Sequence, residues 1–341
     1  MSPMTRLASI ILTAAAAAQT PGVEQRLLTV PAGADAATQI PLTVIRGARP
    51  GPALALIAGN HGYEYPPILA LQHLAGEIRP AGLAGTLYVV HIANMPGFLR
   101  RSLFVNPVDG KNLNRVYPGR AGGTQSERIA HVITREVIEK CDALLDLHGG
   151  DGNESLRPYV YQTVTGDAAL DARTAALAEA TLFDHIVIDR DRPADAARSV
   201  YCSNTAITRG KPAVTVESGY LGRREPEDVE RLRLAVFNVL RHLKMIDGPA
   251  LTADHPTFLD PVQIISSPAS GVFTPLAERG SHVAEGAPLA RIADYFGREI
   301  AVIRAPFAGV VLYIIGTPPV NQGDPAVFLG AVRGTPGAVR R

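Results

Sequence analysis

Cysteine is nearly absent from this chain. Cys141 and Cys202 are the only two among 341 residues, with no Cys-x-x-Cys pair and no zinc-ribbon spacing, which excludes a thiolate metal cluster and a disulfide-framed fold. In an exported protein the two are candidates for a single disulfide; otherwise they pack as small buried hydrophobes. Charge is also sparse. Asp, Glu, Lys and Arg make up 19% of the chain and the formal net charge is +1. No long basic run or basic-aromatic stripe is present, so the electrostatic footprint of nucleic-acid binding is missing. No segment beyond the N-terminus reaches transmembrane length. No lysine follows Lys244, so the C-terminal region offers no amide attachment point for a lipoyl or biotinyl group.

What is present is a compact, apolar enzyme-like chain, 46% hydrophobic and rich in glycine and proline. At the N-terminus Arg6 precedes an apolar stretch from Leu7 to about Ala18, followed by small residues and Pro21. That is the layout of a cleaved secretory signal over residues 1–18. The expectation is a periplasmic or secreted protein with no membrane insertion after signal removal.

Strand signals follow in VEQRLLTV, IPLTVIRG, GPALALIAG, TLYVVHIAN, DALLDLHGG and PAVTVESG. The continuous apolar runs suit strands buried on both faces. Helical spacing covers 66–78, 126–140 and 226–245. Strand and helix signals alternate, which gives an α/β domain over 22–247, a mixed, mostly parallel sheet flanked by helices. A polar loop from Met95 to Gly123 is too long for a simple connection, and such loops usually carry function. Beyond the transition at 247–261 helical periodicity stops. Short β-type runs alternate with Gly and Pro turns, so 255–335 is expected to be a small all-β, barrel-like domain.

The chemistry sits at strand ends. His61 and Glu64 lie three apart in AGNHGYEYP, at the exit of an apolar strand. His148 ends LLDLH before two glycines. Two imidazoles and a carboxylate are a ligand set that zinc accepts with a position left open for water, and in open α/β sheets sites gather at the carboxyl ends of strands. In the long loop Asn114 and Arg115 are adjacent. A planar guanidinium grips a carboxylate with two parallel hydrogen bonds, and an amide adds a donor. Glu217 leaves the strand VTVESG into a glycine turn, where partial burial raises a carboxylate's pKa toward the working range of a general base.

The motifs GNHGYE, DGKNLNRVYPG, DLHGG and VESG, in that order, resemble those of the succinylglutamate desuccinylase/aspartoacylase family, a branch of the zinc carboxypeptidase fold. The resemblance runs from about residue 24 to 245. It implies one Zn2+ per chain held by His61, Glu64 and His148. It also implies a substrate carboxylate held by Asn114 and Arg115, and Glu217 activating water at the metal. Where family members carry an Arg that polarises the scissile carbonyl, this chain has Leu103-Phe104-Val105. Arg100 and Arg101 lie just upstream, and Arg101 is the candidate substrate contact. Asn112 stands where the family often has an Asp behind a zinc-bound His; its amide oxygen still accepts from an imidazole N–H. SGVFTPLAERGSHVAEGAPLARIAD resembles a biotinyl/lipoyl-type barrel, here structural or a wall at the site.

The expected activity is hydrolysis of an amide bond in a small carboxylated substrate such as an N-acyl amino acid. The alternatives are an exported carboxypeptidase or amidase on peptides, an esterase, and a non-catalytic envelope binding protein on the same scaffold. The oligomeric state is left open.

Overall fold

The computed structural model describes residues 20–253 and 255–334. The expected signal segment, 1–18, lies outside them. Nine strands build the first part: β1 Gly22–Val30, β2 Thr38–Arg46, β3 Arg49–Ala58, β4 Ala84–Val90, β5 Ala143–His148, β6 Glu154–Leu156, β7 Tyr159–Thr163, β8 His185–Asp189 and β9 Ala213–Glu217. They run across the sheet in the order β1-β2-β4-β3-β5-β9-β7-β8, with β6 off this path. The neighbours β4-β3-β5-β9 are parallel, as is the pair β7-β8. Antiparallel pairing joins β1 to β2, β2 to β4 and β7 to β9.

Alternation along β3 explains its unbroken apolar run. Leu54, Leu56 and Ala58 enter one core with Ile68, Leu71 and Leu74 of helix α1 (Tyr65–Glu77). Ala55 and Ile57 enter a second core on the opposite face. Both faces of the strand are therefore covered, and each such leucine contributes ~1.5–3 kcal/mol of burial. The first core is completed by α4 (Ala168–Ala180) and α6 (Pro226–His242), the second by α3 (Gln125–Glu136) and α5 (Cys202–Ile207). Cys141 and Cys202 both lie in that second core as free, buried thiols. Of the two readings of the cysteines, the small-hydrophobe one describes them.

The helices expected over 66–78, 126–140 and 226–245 are present with shifted ends. The second stops at Glu136, and a separate 3-10 turn covers Ile138–Lys140. The loop from Met95 carries a six-residue helix, α2 (Met95–Arg100), because the Asn94 side chain accepts from Gly97 N–H at its start and Pro96 occupies its first turn.

Beyond 255 the chain is β-rich, as its sequence implies, and it continues the main sheet. Strand β10 (Thr257–Ser266) pairs parallel with β8 and antiparallel with Pro325–Val332. Gly309–Ile315 pairs with that strand and also with β6. Glu299–Arg304, Pro288–Ala293, Gly271–Pro275 and Pro319–Val320 make a second, antiparallel sheet. One hydrophobic cluster spans the junction, joining Leu156, Tyr159 and Val187 to Leu259, Leu312, Tyr313 and Phe328. No helix among the described residues is long and apolar enough to cross a membrane.

Candidate metal centre

Strand alternation sets the site. On β5, Leu144 faces the second core while Leu145 and Leu147 face the first, so Asp146 and His148 share the face that Leu144 takes. On the neighbouring parallel strand β9, Glu217 stands in register with His148. His61 and Glu64 follow the end of β3. A glycine succeeds each histidine because backbone passes too close for a side chain. A Cβ on Gly62 would lie 2.0 Å from the Phe98 nitrogen, and one on Gly149 would lie 2.5 Å from the Ser218 oxygen.

The donor atoms of His61, Glu64 and His148 all lie within 4.8 Å of one another, and all three residues are buried. The Glu64 carboxylate spans the two rings, with Oε1 2.7 Å from His61 Nδ1 and Oε2 2.8 Å from His148 Nδ1. The opposite nitrogen of each ring has its own partner. His61 Nε2 lies 3.0 Å from Asn112 Oδ1, and His148 Nε2 lies 3.1 Å from Asp146 Oδ1. The Asn112 oxygen accepts from His61 Nε2–H, and such backing leaves the other ring nitrogen for a metal. Two imidazole nitrogens, one carboxylate, deep burial and a backed rear nitrogen on each ring fit a divalent ion that takes mixed nitrogen and oxygen ligands.

The electrostatics agree with a cation-seeking site. Burial works against every charge here. The two imidazoles nevertheless hold Glu64 down at about 2, and Glu64 raises His61 against that burial. Glu217 is pushed well above the ordinary carboxylate range, first by burial, then by Glu64, Glu154 and Asp146, with His148 opposing. Its carboxylate makes no hydrogen bond or ion pair with the described residues. Burial likewise lifts Asp151 to about 6 and Glu154 to about 7.

The other residues singled out in the sequence are placed as follows. Arg115 is exposed; it donates to the Asn114 carbonyl at 2.8 Å and stacks 4.8 Å from the Tyr201 ring centroid. Arg192, paired with Asp189, covers the same ring at 4.0 Å, so two guanidinium groups flank one aromatic. Asn114 is buried against Asp146 and His148. Arg101 is exposed at the end of α2 with φ 52; its side chain makes no hydrogen bond or ion pair with the described residues and acts electrostatically on the Tyr65 phenol. Phe104 occupies the stretch where the resemblance leads one to look for an arginine, and its ring meets His61 edge-on with centroids 5.9 Å apart.

Several contributors escaped the sequence reading. Asp146 was signalled by its position two before His148 on a strand, which puts both on one face. Asn60 and Tyr117 lie inside the quoted motifs GNHGYE and DGKNLNRVYPG, but their pairing is long-range; Arg192 and Tyr201 reach the site through long-range packing and carry no local signal.

Known proteins resemble this chain over most of its length. Residues 50–243 match the model of the succinylglutamate desuccinylase/aspartoacylase catalytic domain. The chain is also 30% identical over 324 residues to an N-alpha-acetyl-L-2,4-diaminobutyric acid deacetylase of Halomonas elongata, covering 91% of this chain and 92% of that protein. The chain belongs to the succinylglutamate desuccinylase/aspartoacylase family. Two solved structures share its architecture. A succinylglutamate desuccinylase from Silicibacter sp. TM1040 superposes with a TM-score of 0.82 at 27% identity, covering 92% of this chain and 96% of that one. The product-bound ectoine utilization protein EutE (DoeB) from Ruegeria pomeroyi superposes with a TM-score of 0.82 at 28% identity, covering 92% and 97%. Both likenesses take in the β-rich C-terminal region as well as the catalytic segment. The chain thus belongs to a family of deacylase-type amide hydrolases.

Proposed function

We propose that the chain is a zinc-dependent deacylase that cleaves the amide bond of a small, carboxylated N-acyl amino acid. N-α-acetyl-2,4-diaminobutyric acid, the substrate in the name of the Halomonas relative, is the first candidate. The observation that carries the reading is the single face shared by His148 and Glu217 in adjacent register, beside His61 and Glu64.

His61, Glu64 and His148 would hold the ion, which when bound polarises the scissile carbonyl and makes water more acidic. Glu217 lies beside that position with its carboxylate uncommitted. It accepts the proton of the attacking water and returns it to the leaving amine. Arg115, braced by Tyr201, presents a guanidinium that clamps the substrate carboxylate and so fixes the amide over the ligand set. Placement of this kind accounts for up to ~7–11 kcal/mol of barrier in favourable cases. The walls exclude water in part through Phe104, packed on His61.

A panel of N-acyl amino acids, assayed with zinc-loaded and chelated protein, tests the proposal. Turnover is expected only with metal. Glu217→Gln should lower kcat by about 10²–10⁴-fold while zinc content, measured by elemental analysis, stays at one per chain. A zinc-loaded protein inert toward the whole panel, or a Glu217→Gln variant of full activity, would overturn it.

A further inference from the structure

Behind His148 lies a closed polar network in an otherwise apolar core. Asp146 is fully buried, and no lysine or arginine pairs with it among the described residues. A carboxylate at such depth persists only when hydrogen bonds replace water. Asn60 Nδ2 donates to Asp146 Oδ1 at 2.7 Å, and Tyr117 Oη donates to Asn60 Oδ1 at 2.9 Å. On the other side the Cys202 backbone N–H donates to Asn114 Oδ1 at 2.7 Å. That places Asn114 Nδ2 3.5 Å from Asp146 Oδ2 and 3.1 Å from His148 Nε2.

Each partner fixes the orientation of the next. A backbone N–H only donates, so the Asn114 oxygen must face Cys202 and its NH2 must face Asp146. Asn60 turns its NH2 to Asp146 and its oxygen to the Tyr117 hydroxyl, which donates to it. Asp146 Oδ1 stands 3.1 Å from His148 Nε2, the nitrogen that the Asn114 NH2 also faces, and Nδ1 of that ring is directed at Glu64.

We propose that Tyr117, Asn60 and Asn114 are positioning residues that hold Asp146 and the His148 ring beside it, and so set how tightly the protein retains its metal. The proposal rests on the metal reading of His61, Glu64 and His148. It gives Asn114 a different task from gripping the substrate carboxylate. Asn114 is only 6% exposed, and both ends of its amide meet protein groups, whereas Arg115 is exposed beside it.

Tyr117→Phe keeps the ring and removes only the donor; Asn114→Ser shortens the amide and is the second variant. Each is compared with wild type by zinc affinity in chelator competition, by the visible spectrum of the Co2+-substituted protein, by the melting temperature of the metal-free form, and by kcat and KM. Expected are a loss of zinc affinity on the order of 10–100-fold, changed cobalt bands, a lower kcat and a KM near wild type. Wild-type affinity and cobalt bands in both variants would overturn the positioning role. So would a fall in metal-free melting temperature with affinity unchanged, or a rise in KM alone for Asn114→Ser. Wild-type protein that binds neither zinc nor cobalt would instead overturn the metal reading, and the positioning role with it.

Discussion

At the scale of single residues, the site divides into groups exposed at its mouth and buried groups that face each other. Arg115 is exposed and stacked on Tyr201, a geometry in which the guanidinium plane is held while its edge stays free for two parallel hydrogen bonds. Arg115→Lys keeps the charge but loses the stack and the paired donors. KM for a carboxylated substrate should rise about tenfold or more, equivalent to ~1.4 kcal/mol, with zinc content unchanged; an unaltered KM would remove Arg115 from substrate binding. The three residues that could hold a metal were legible because His-Gly and the His-x-x-Glu spacing sit at strand ends. Asp146 was legible in principle, since LLDLH alternates two polar residues on one face. Asn60 and Tyr117 were not, because their meeting depends on a contact across 57 positions.

At the scale of elements, the three central strands were readable from their apolar runs because helices cover both faces. The short helix α2 was hidden by its Pro and Gly and by its length. What no local pattern disclosed is how the long loop is pinned. Asp109, in the loop, accepts from Ser126 N–H at 2.7 Å, and Asp35, from the β1–β2 connection, accepts from Gln125 N–H at 2.9 Å. Glu127 accepts from Thr124 N–H at 2.8 Å and meets Arg120. Two carboxylates from separate segments thus join Glu127 of the helix's own first turn at the positive end of α3, and the loop carrying Asn112, Asn114 and Arg115 is anchored there.

Burial opposes ionisation of Glu127, but the Thr124 N–H, Arg120 and Lys111 hold its pKa at about 2. That value is below the ordinary carboxylate value, so its stabilisation is complete above about 4.3 and disappears as pH falls toward 2. Glu127→Gln is expected to cost about 1 kcal/mol at neutral pH and to flatten the stability profile between pH 4.3 and 2, as read from urea unfolding. An equally steep acid limb in the variant would contradict this.

At the scale of the whole molecule, the boundary near 247 is real in sequence pattern and absent from the hydrogen-bond ladder. β10 pairs with β8, Gly309–Ile315 pairs with β6, and Tyr159 and Val187 share a cluster with Leu259 and Phe328. Composition reports the change from helical to β periodicity, but it is blind to pairings between strands far apart in sequence. Truncation after residue 247 strips two sheet edges and opens that shared cluster. The truncated protein should melt well below the full chain or fail to accumulate in soluble form, by calorimetry and size-exclusion chromatography. A truncated protein as stable as the parent would show that the two parts are energetically independent.

The same pairing has a consequence for how the chain is made. A ribosome adds ~5–20 residues per second, so β6 and β8 emerge several seconds before the strands that cover them. For that interval the nascent catalytic segment presents unsatisfied strand edges, the surfaces most prone to pair with the wrong chain. Slow translation between residues 189 and 257 lengthens the exposure, and a holdase that covers bare edges shortens its harm.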